Sequence, residues 1–436
     1  MEARPVQYAP IFVSKDAMPA GRKEEGSRLV SYPREMAHVA ISGAGPAGAA
    51  LAHALARCGN QVTLVERQRD FSREFRGEVL MPSGMDVLHQ LGLGEAFAAV
   101  PQRVPQAVEL YRDRRRVAVA RFPNDVEGAP HITSQPHLLE MLVSEAERFD
   151  GFRLVRGRAV RDIVRRESDE RVAGLVLADG ERIDADLVIG ADGRGSMVRR
   201  RAGLNAERNP ESFDVVWFKV PMPGFLAERG SPVSAYIGRG HFSIAIPAVD
   251  GCLNVAWIID KGTFKHLRDG GIEAWVEEMA EHVSPELGTH IRAYKNRLDH
   301  PFVLDVICDC MPSWWAPGAL LIGDAVHPMS PVAGQGLNIA LRDAIVAANH
   351  LVPALSGSDA VVDAACAAVQ DERMPEVSTI QTIQRNVPNV LLRRKWWSAI
   401  ALRLMPFIVE SQVARNRGGA LFGRMAFGVT DVKLRV

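Results

Sequence analysis

Apolar residues change period several times along the chain, and each change predicts an element. His38-Val39-Ala40-Ile41-Ser42 is a short apolar run with the length of a buried strand. It breaks into Gly43-Ala44-Gly45-Pro46-Ala47-Gly48 before an alanine-rich helical run ending near Cys58. Gly59-Asn60 stops that helix, and Gln61-Val62-Thr63-Leu64-Val65-Glu66 predicts a second strand, which completes a strand-helix-strand unit with an acid at its end. From about 107 to 123, two alternating runs flank a charged turn and predict a hairpin outside the nucleotide fold. Helical spacing returns at Leu138 to Val143, and three short apolar segments between Phe152 and Asp184 predict a meander. The meander leads into Asp186-Leu187-Val188-Ile189-Gly190, whose unbroken apolar character fits a strand covered on both faces.

Four β-rich runs between 213 and 260 have the spacing of an antiparallel sheet: Val215 to Phe218, Val233 to Ile237, Phe242 to Ile246 and Leu253 to Ile259. Leu320-Leu321-Ile322 is another buried strand, followed by a long helix from Leu337 to Leu351, and the tail from about 361 is mostly helical. These elements predict a discontinuous nucleotide-binding domain over 36–106, 124–212 and 300–360. A second domain takes 107–123 and 213–299, a polar extension precedes them at 1–35, and a C-terminal helical region covers 361–436.

Composition narrows the picture. A chain of 436 residues can bury a large core, and 52 basic against 52 acidic residues give no global attraction for nucleic acid. No signal-peptide core and no run of about 18 apolar residues occurs, so neither secretion nor a spanning helix is expected. Cys58, Cys252, Cys308, Cys310 and Cys366 are few and scattered, which suits a reducing cytoplasm. Cys308 and Cys310 have C-x-C spacing but no second Cys or His pair accompanies them, so no metal is predicted.

Three motifs carry chemistry. In the first, Gly43 allows a tight turn, Gly45 lets backbone N–H groups approach a pyrophosphate, and Gly48 permits close helix-strand packing, with Pro46 and Ala47 opening the helix. Glu66, at the next strand end, suits ribose hydroxyls. In the second, the strand ending in Ala191-Asp192-Gly193 puts Asp192 at the carboxyl edge of the sheet, where open α/β folds bind ligands. The third is Gly323-Asp324-Ala325-Val326-His327-Pro328-Met329-Ser330-Pro331-Val332-Ala333-Gly334-Gln335-Gly336-Leu337-Asn338. Asp324 sits at a strand end, Pro328 and Pro331 keep the loop non-helical, and the helix that begins near Leu337 presents unpaired N–H groups. Such donors would stabilise negative charge on the N1 and O2 edge of a reduced flavin.

At these motifs the sequence resembles the single-component FAD-dependent aromatic hydroxylases, flavoprotein monooxygenases of the p-hydroxybenzoate hydroxylase fold. The resemblance runs from about 37 to 350 on GAGPAG, DLVIGADGRGS and GDAVHPMSPVAGQGLN in fixed order. It implies an α/β fold: a Rossmann-like FAD-binding domain, a second antiparallel β-sheet substrate domain and a helical C-terminal region. Gly43, Gly45, Gly48, Glu66 and Arg67 would hold the adenosine half of FAD, and Arg76 would lie near the ribityl and pyrophosphate. Asp192 with Gly193 would serve FAD and NAD(P)H, Asp324 the ribitol, and Pro331 with Gly334, Gly336, Leu337 and Asn338 the isoalloxazine border. Gln135 stands where many relatives carry Arg, which implies a neutral hydrogen bond there. The Trp-x-Trp-x-Ile-Pro signature of flavin halogenases is absent.

The activity implied is NADPH- or NADH-dependent hydroxylation or epoxidation by O₂, through a flavin C4a-hydroperoxide, of an aromatic or unsaturated hydrophobic small molecule. The motifs also fit an FAD dehydrogenase, oxidase or reductase on the same fold, or a flavoprotein that binds a reactive intermediate without turnover. Substrate-pocket candidates on the second sheet are Trp217, Tyr236, Ser243 and Trp257, with His241 as proton handler because an unperturbed imidazole titrates near neutral pH. The basic and aromatic stretch 391–409 is compatible with weak contact to a membrane surface and with a packed helix.

Overall fold

The computed structural model describes residues 36–71, 78–122, 128–204, 210–238, 240–391 and 423–436. The N-terminal extension 1–35, Arg76 and the stretch 392–409 therefore lie outside the described residues.

The predicted strand-turn-helix units assemble into one six-stranded sheet. Its strands run in the order Trp315–Ala316, Ala319–Leu321, Leu187–Gly190, His38–Ser42, Gln61–Glu66 and Phe152–Arg156, and only the outermost pairing is antiparallel. Leu187–Gly190 is buried at every position, as its unbroken apolar sequence requires of a strand between two parallel neighbours. The helix Pro46–Arg57 is buried from Ala47 to Ala56 and lies between the helices Gln135–Ala146 and Gln335–Ala354. Its alanines let the three helices approach closely. The meander forms as a separate three-stranded sheet of Val160–Arg165, Val172–Leu177 and Arg182–Asp184.

The second domain is a seven-stranded sheet in the order Asp299–Ile307, Pro210–Pro221, Cys252–Asp260, His241–Pro247, Val233–Gly238, Ala107–Arg112 and Arg115–Arg121. All its pairings are antiparallel except Ala107–Arg112 with Val233–Gly238, which attaches the predicted hairpin. The strand Asp299–Ile307 corrects a boundary: residues from 300 were assigned to the nucleotide-binding domain, yet this strand pairs with Pro210–Pro221. Its alternating apolar residues predict a strand and carry no address for either sheet.

Alternation gives the seven-stranded sheet two different faces. Val216, Phe218, Tyr236, Ala245, Val255 and Trp257 point to one side and pack under Trp275, Val276, Met279, Leu287 and Ile291 of the helices Gly271–Ala280 and Pro285–Ala293. Val215, Trp217, Phe242, Ala256 and Ile258 point to the other side, in one apolar cluster with Ile132 and Val332 of the nucleotide-binding domain. The helix Asp359–Leu391 packs on Gln335–Ala354, and the chain end returns to the first helix, where Arg57 Nη2 donates to Val436 O at 3.2 Å.

Candidate active site

All three motifs lie at the carboxyl edge of the parallel sheet. Gly43 takes φ +101°, and a Cβ there would stand 2.4 Å from the Ala191 carbonyl oxygen, which brings the first and second motifs into contact. A Cβ on Gly48 would meet Gly43 O at 2.0 Å, so the turn and the helix touch where a side chain cannot fit. A Cβ on Gly323 would lie 3.1 Å from Ala47 Cβ, which joins the third motif to the same edge. Glu66 is buried; Oε2 accepts from Ala44 N at 2.9 Å and Oε1 from Gln68 N at 3.0 Å, so the carboxylate also shapes the turn it was expected to serve. Arg67 follows it as an exposed residue.

Two helix N-termini converge on this edge without side-chain caps. Pro46–Arg57 begins after Gly45, and Gln335–Ala354 begins after Gly334. The first N–H groups of a helix have no partner within it, so each start attracts negative charge. Ala333 and Gly334 both lie in the left-handed region, at φ 63° and 60°, and nothing stands within 4 Å of a Cβ placed on Gly336. The loop expected to be non-helical contains two short 3₁₀ turns, Gly323–Ala325 before Pro328 and Val332–Gly334 after Pro331. Asp324 is exposed in the first, beside the end of the strand Ala319–Leu321. Pro331 and Leu337 flank the second.

Two expected cofactor contacts have structural partners of their own. Asn338 Oδ1 accepts from Met81 N at 2.8 Å, while Nδ2 donates to Val79 O at 3.2 Å and Gly334 O at 2.9 Å. Its side chain thus ties the flavin loop to the strand Val79–Leu80. Asp192 Oδ2 accepts from Met197 N at 2.7 Å and Val198 N at 3.2 Å, starting the helix Met197–Arg201, while its buried Oδ1 has no partner among the described residues. Gln135 opens the helix Gln135–Ala146 and is partly exposed.

A charged network that the motifs do not announce lies beneath the third motif. Asp343 Oδ2 accepts from Gly323 N at 2.9 Å and pairs with His327 Nε2 at 2.6 Å, while Oδ1 accepts from Arg373 Nε at 2.8 Å. Arg373 also pairs with Glu376, which accepts two bonds from Arg342 at 2.9 and 3.0 Å. Burial alone would raise the Asp343 pKa, but His327 and Arg373 outweigh it and hold the carboxyl at about 2. Arg373 and Arg342 do the same for Glu376, again at about 2.

The proposed substrate residues divide between the faces of the second sheet. Trp217 points toward the nucleotide-binding domain. Tyr236, Ser243 and Trp257 do not. Tyr236 stacks on Tyr111 with centroids 4.6 Å apart, Ser243 Oγ lies 3.6 Å from Met279 Sδ, and Trp257 is 1% exposed beneath the helices. They form a core, which overturns their assignment to the pocket. His241 goes with them: Trp257 Nε1 donates to its Nδ1 at 3.3 Å, and His282 stacks on it at 3.3 Å between centroids. Glu278 completes a group whose ligand-type atoms lie within 4.8 Å of one another. With the indole N–H donating to Nδ1, a neutral His241 carries its proton on Nε2, which suits a hydrogen-bonded cap and is not the tautomer for binding a metal through that nitrogen.

The face turned toward the flavin loop is apolar and incompletely covered. Leu110, Ala235, Ile244, Phe302 and Leu304 are half-buried there, near Val79 and Ala333. Its buried polar residue Asn254, 1% exposed, is level in register with Lys219 and Ile246. Asn254 Nδ2 donates to Glu78 Oε2 at 2.9 Å. Burial pushes the Glu78 pKa up; the Lys219 charge opposes that, Asp250 reinforces it, the Asn254 bond opposes it, and the result is about 7. The alternation that assigns Asn254 to the side of Ala256 and Ile258 is present in the sequence, whereas its partner Glu78, 176 residues away, is not marked by any pattern. A hollow of about 510 Å³ lined by His38, Arg165, Arg182 and Asp186 opens at the opposite, amino-terminal edge of the parallel sheet, away from the motifs.

This arrangement defines a two-domain flavoprotein: a glycine cradle for a dinucleotide, a second glycine loop over the same edge, and an apolar sheet facing it. The chain belongs to the FAD-binding domain family, whose model matches residues 36–375, and it is an FAD-dependent monooxygenase. It is 31% identical to the 6-methylpretetramide 4-monooxygenase of Streptomyces rimosus over 92% of this chain and 96% of that protein. It is 28% identical to a 3-amino-4-hydroxybenzoate 2-monooxygenase of Streptomyces platensis, covering 80% and 86%. Among solved structures, p-nitrophenol 4-monooxygenase from Pseudomonas putida shares the fold at a TM-score of 0.74 and 16% identity, over 91% of this chain and 99% of that one.

Proposed function

We propose that the protein hydroxylates an extended aromatic small molecule, using O₂ and either NADPH or NADH, with the ring held against the open face of the seven-stranded sheet. The observation that carries this reading is the half-buried apolar surface of Ala235, Ile244, Phe302 and Leu304 opposite the flavin loop. Relatives named for 6-methylpretetramide and for 3-amino-4-hydroxybenzoate support an aromatic substrate class.

FAD, when bound, supplies the redox chemistry with oxygen. Its pyrophosphate is assigned to the uncapped helix start after Gly45, with Gly43 and Gly48 keeping side chains out of the way. The isoalloxazine is assigned to the left-handed turn Ala333–Gly334 and the helix start at Gln335, where unpaired N–H groups favour negative charge. Asp324 and Asp192 are assigned to the ribityl and to the region between the two motifs. Around the substrate, the chain excludes water with aliphatic and aromatic side chains, and Trp217 supplies a flat wall. The unpaired cysteines are in keeping with a reducing cytoplasm, and among the described residues no helix is long and apolar enough to cross a membrane.

The test is purification with its flavin, followed by NADPH or NADH oxidation and O₂ uptake across a panel of phenols, naphthols and polycyclic aromatics. Substrate-stimulated oxidation with one oxygen atom in the product is expected. Stoichiometric H₂O₂ beside an oxidised but unoxygenated product would instead establish an oxidase.

A further inference from the structure

Among the polar groups on the open face, Glu78 and Asn254 are joined across the domain boundary. Asn254 belongs to the strand Cys252–Asp260, whereas Glu78 immediately precedes Val79–Leu80 and accepts Thr133 N through its carbonyl at 2.7 Å. Both are buried, Glu78 at 9% exposure and Asn254 at 1%. Asn254 Oδ1 is inaccessible to solvent and has no hydrogen-bond partner among the described residues. A buried carbonyl oxygen left in that state costs about 1–3 kcal/mol, and a fold retains such a group where something else pairs with it. Opposite an ionised carboxylate the Asn amide must present its NH₂, so the unpaired atom is an acceptor. The site therefore offers acceptors and asks for donors.

Resting on the monooxygenase reading above, we infer that Glu78 and Asn254 form the polar anchor of the substrate cavity, which selects an aromatic substrate with an ionisable ring hydroxyl and takes that hydroxyl's proton. The step balances without a further reactant: the O–H bond breaks, its proton passes to the Glu78 carboxylate, and the electron pair stays on the ring oxygen. A phenolate donates more electron density into its ring than a phenol, which favours attack on an electrophilic oxygen. Asn254 Oδ1 accepts from a second donor beside that hydroxyl, or from the hydroxyl itself before transfer. A carboxyl that titrates near 7 is matched to this task, since it is neither fully protonated nor a negligible base at neutral pH.

Among the described residues, the charged groups facing Glu78 are Lys219, from Pro210–Pro221, and Asp250, from the turn before Cys252; they pair with each other at 2.7 Å. Their opposing effects keep Glu78 under the control of burial and of its bond to Asn254.

The test uses oxidised holoenzyme without reductant, titrated with 1-naphthol and 1-methoxynaphthalene by the change in flavin absorbance. The wild type should bind the hydroxyl compound roughly tenfold more tightly than its methyl ether, the size of one charge-assisted hydrogen bond. That preference should grow as pH rises through about 7, where Glu78 ionises. In Glu78→Gln the preference should shrink to within about twofold and lose its pH inflection, and Asn254→Leu should weaken it as well, with methyl-ether affinity and flavin content unchanged. A wild type that does not distinguish the two compounds overturns the proposal. So does a flavin-loaded Glu78→Gln that keeps both the preference and its inflection. Failure of the monooxygenase reading is a separate observation, the absence of aromatic-stimulated NADPH or NADH oxidation, and leaves this binding comparison measurable.

Discussion

The two faces of the seven-stranded sheet are built from the same strands and nearly the same kinds of residue, yet one is finished and the other is open. On the finished face, Trp257, Tyr236 and Val255 are sealed under two amphipathic helices, and even the polar atoms of Ser243 and His241 meet partners on or beside the covering helix. On the open face, the neighbouring residues Ile244, Ala235, Phe302 and Leu304 keep part of their surface uncovered against a loop rich in glycine. Hydrophobicity alone therefore does not locate a substrate. The difference lies in what covers each side: helices that bring their own apolar stripes fill one face, whereas the flavin loop contributes little more than Val332 and Ala333 to the other.

The largest test of this contrast is Trp257→Ala. Emptying a fully buried indole should lower stability by about 3–5 kcal/mol, measured by chemical denaturation. A loss below about 1 kcal/mol, with a large change in substrate KM, would reverse the assignment of the faces. Next is Glu78→Gln. The folded-state pKa of Glu78 is raised from 4.5 to about 7, so wild-type stability is fully present below the lower value and falls as pH rises through the higher one. The variant should match the wild type near pH 5 and exceed it by on the order of 2 kcal/mol near pH 8, as thermal melting across pH would show. Filling the open face with Ile244→Trp should change stability by no more than about 1 kcal/mol but raise KM for an aromatic substrate roughly tenfold, because the added ring takes substrate space. Ser243→Ala should be the mildest, below about 1 kcal/mol in stability with unchanged KM, since it removes only a weak contact to Met279.

What the sequence could show follows from how local each signal is. The turns at Gly43, Asp192 and Gly323 were legible because each requirement, a positive φ or a close backbone approach, is contained in a few neighbouring residues. The hairpin at 107–123 was legible for the same reason, but its parallel attachment to Val233–Gly238 was not, since pairing partners are distant in the chain. Trp257 and Ser243 pair in register in the sheet, and alternation within either strand does not say which face meets the flavin. Choosing Trp and Tyr as pocket residues favoured large aromatic side chains, and the structure spends most of them on the core. Arg342, Asp343, Arg373 and Glu376 stand in helical segments without any motif to single them out. Asp343 shares helical spacing with the buried Ile339 and Ala347, the one clue that it faces inward.

The tie between the flavin loop and Arg373 also bears on the order in which the protein becomes competent. The loop's backbone at Gly323 hangs on Asp343, Asp343 on Arg373, and Glu376 on Val429 N and on Arg342, which reaches Thr430 O. A ribosome that has completed the second glycine loop has made every residue assigned to the cofactor and none of the tail that steadies it. The network beneath the loop is therefore complete only once the helix Asp359–Leu391 and the segment Val429–Thr430 have been made.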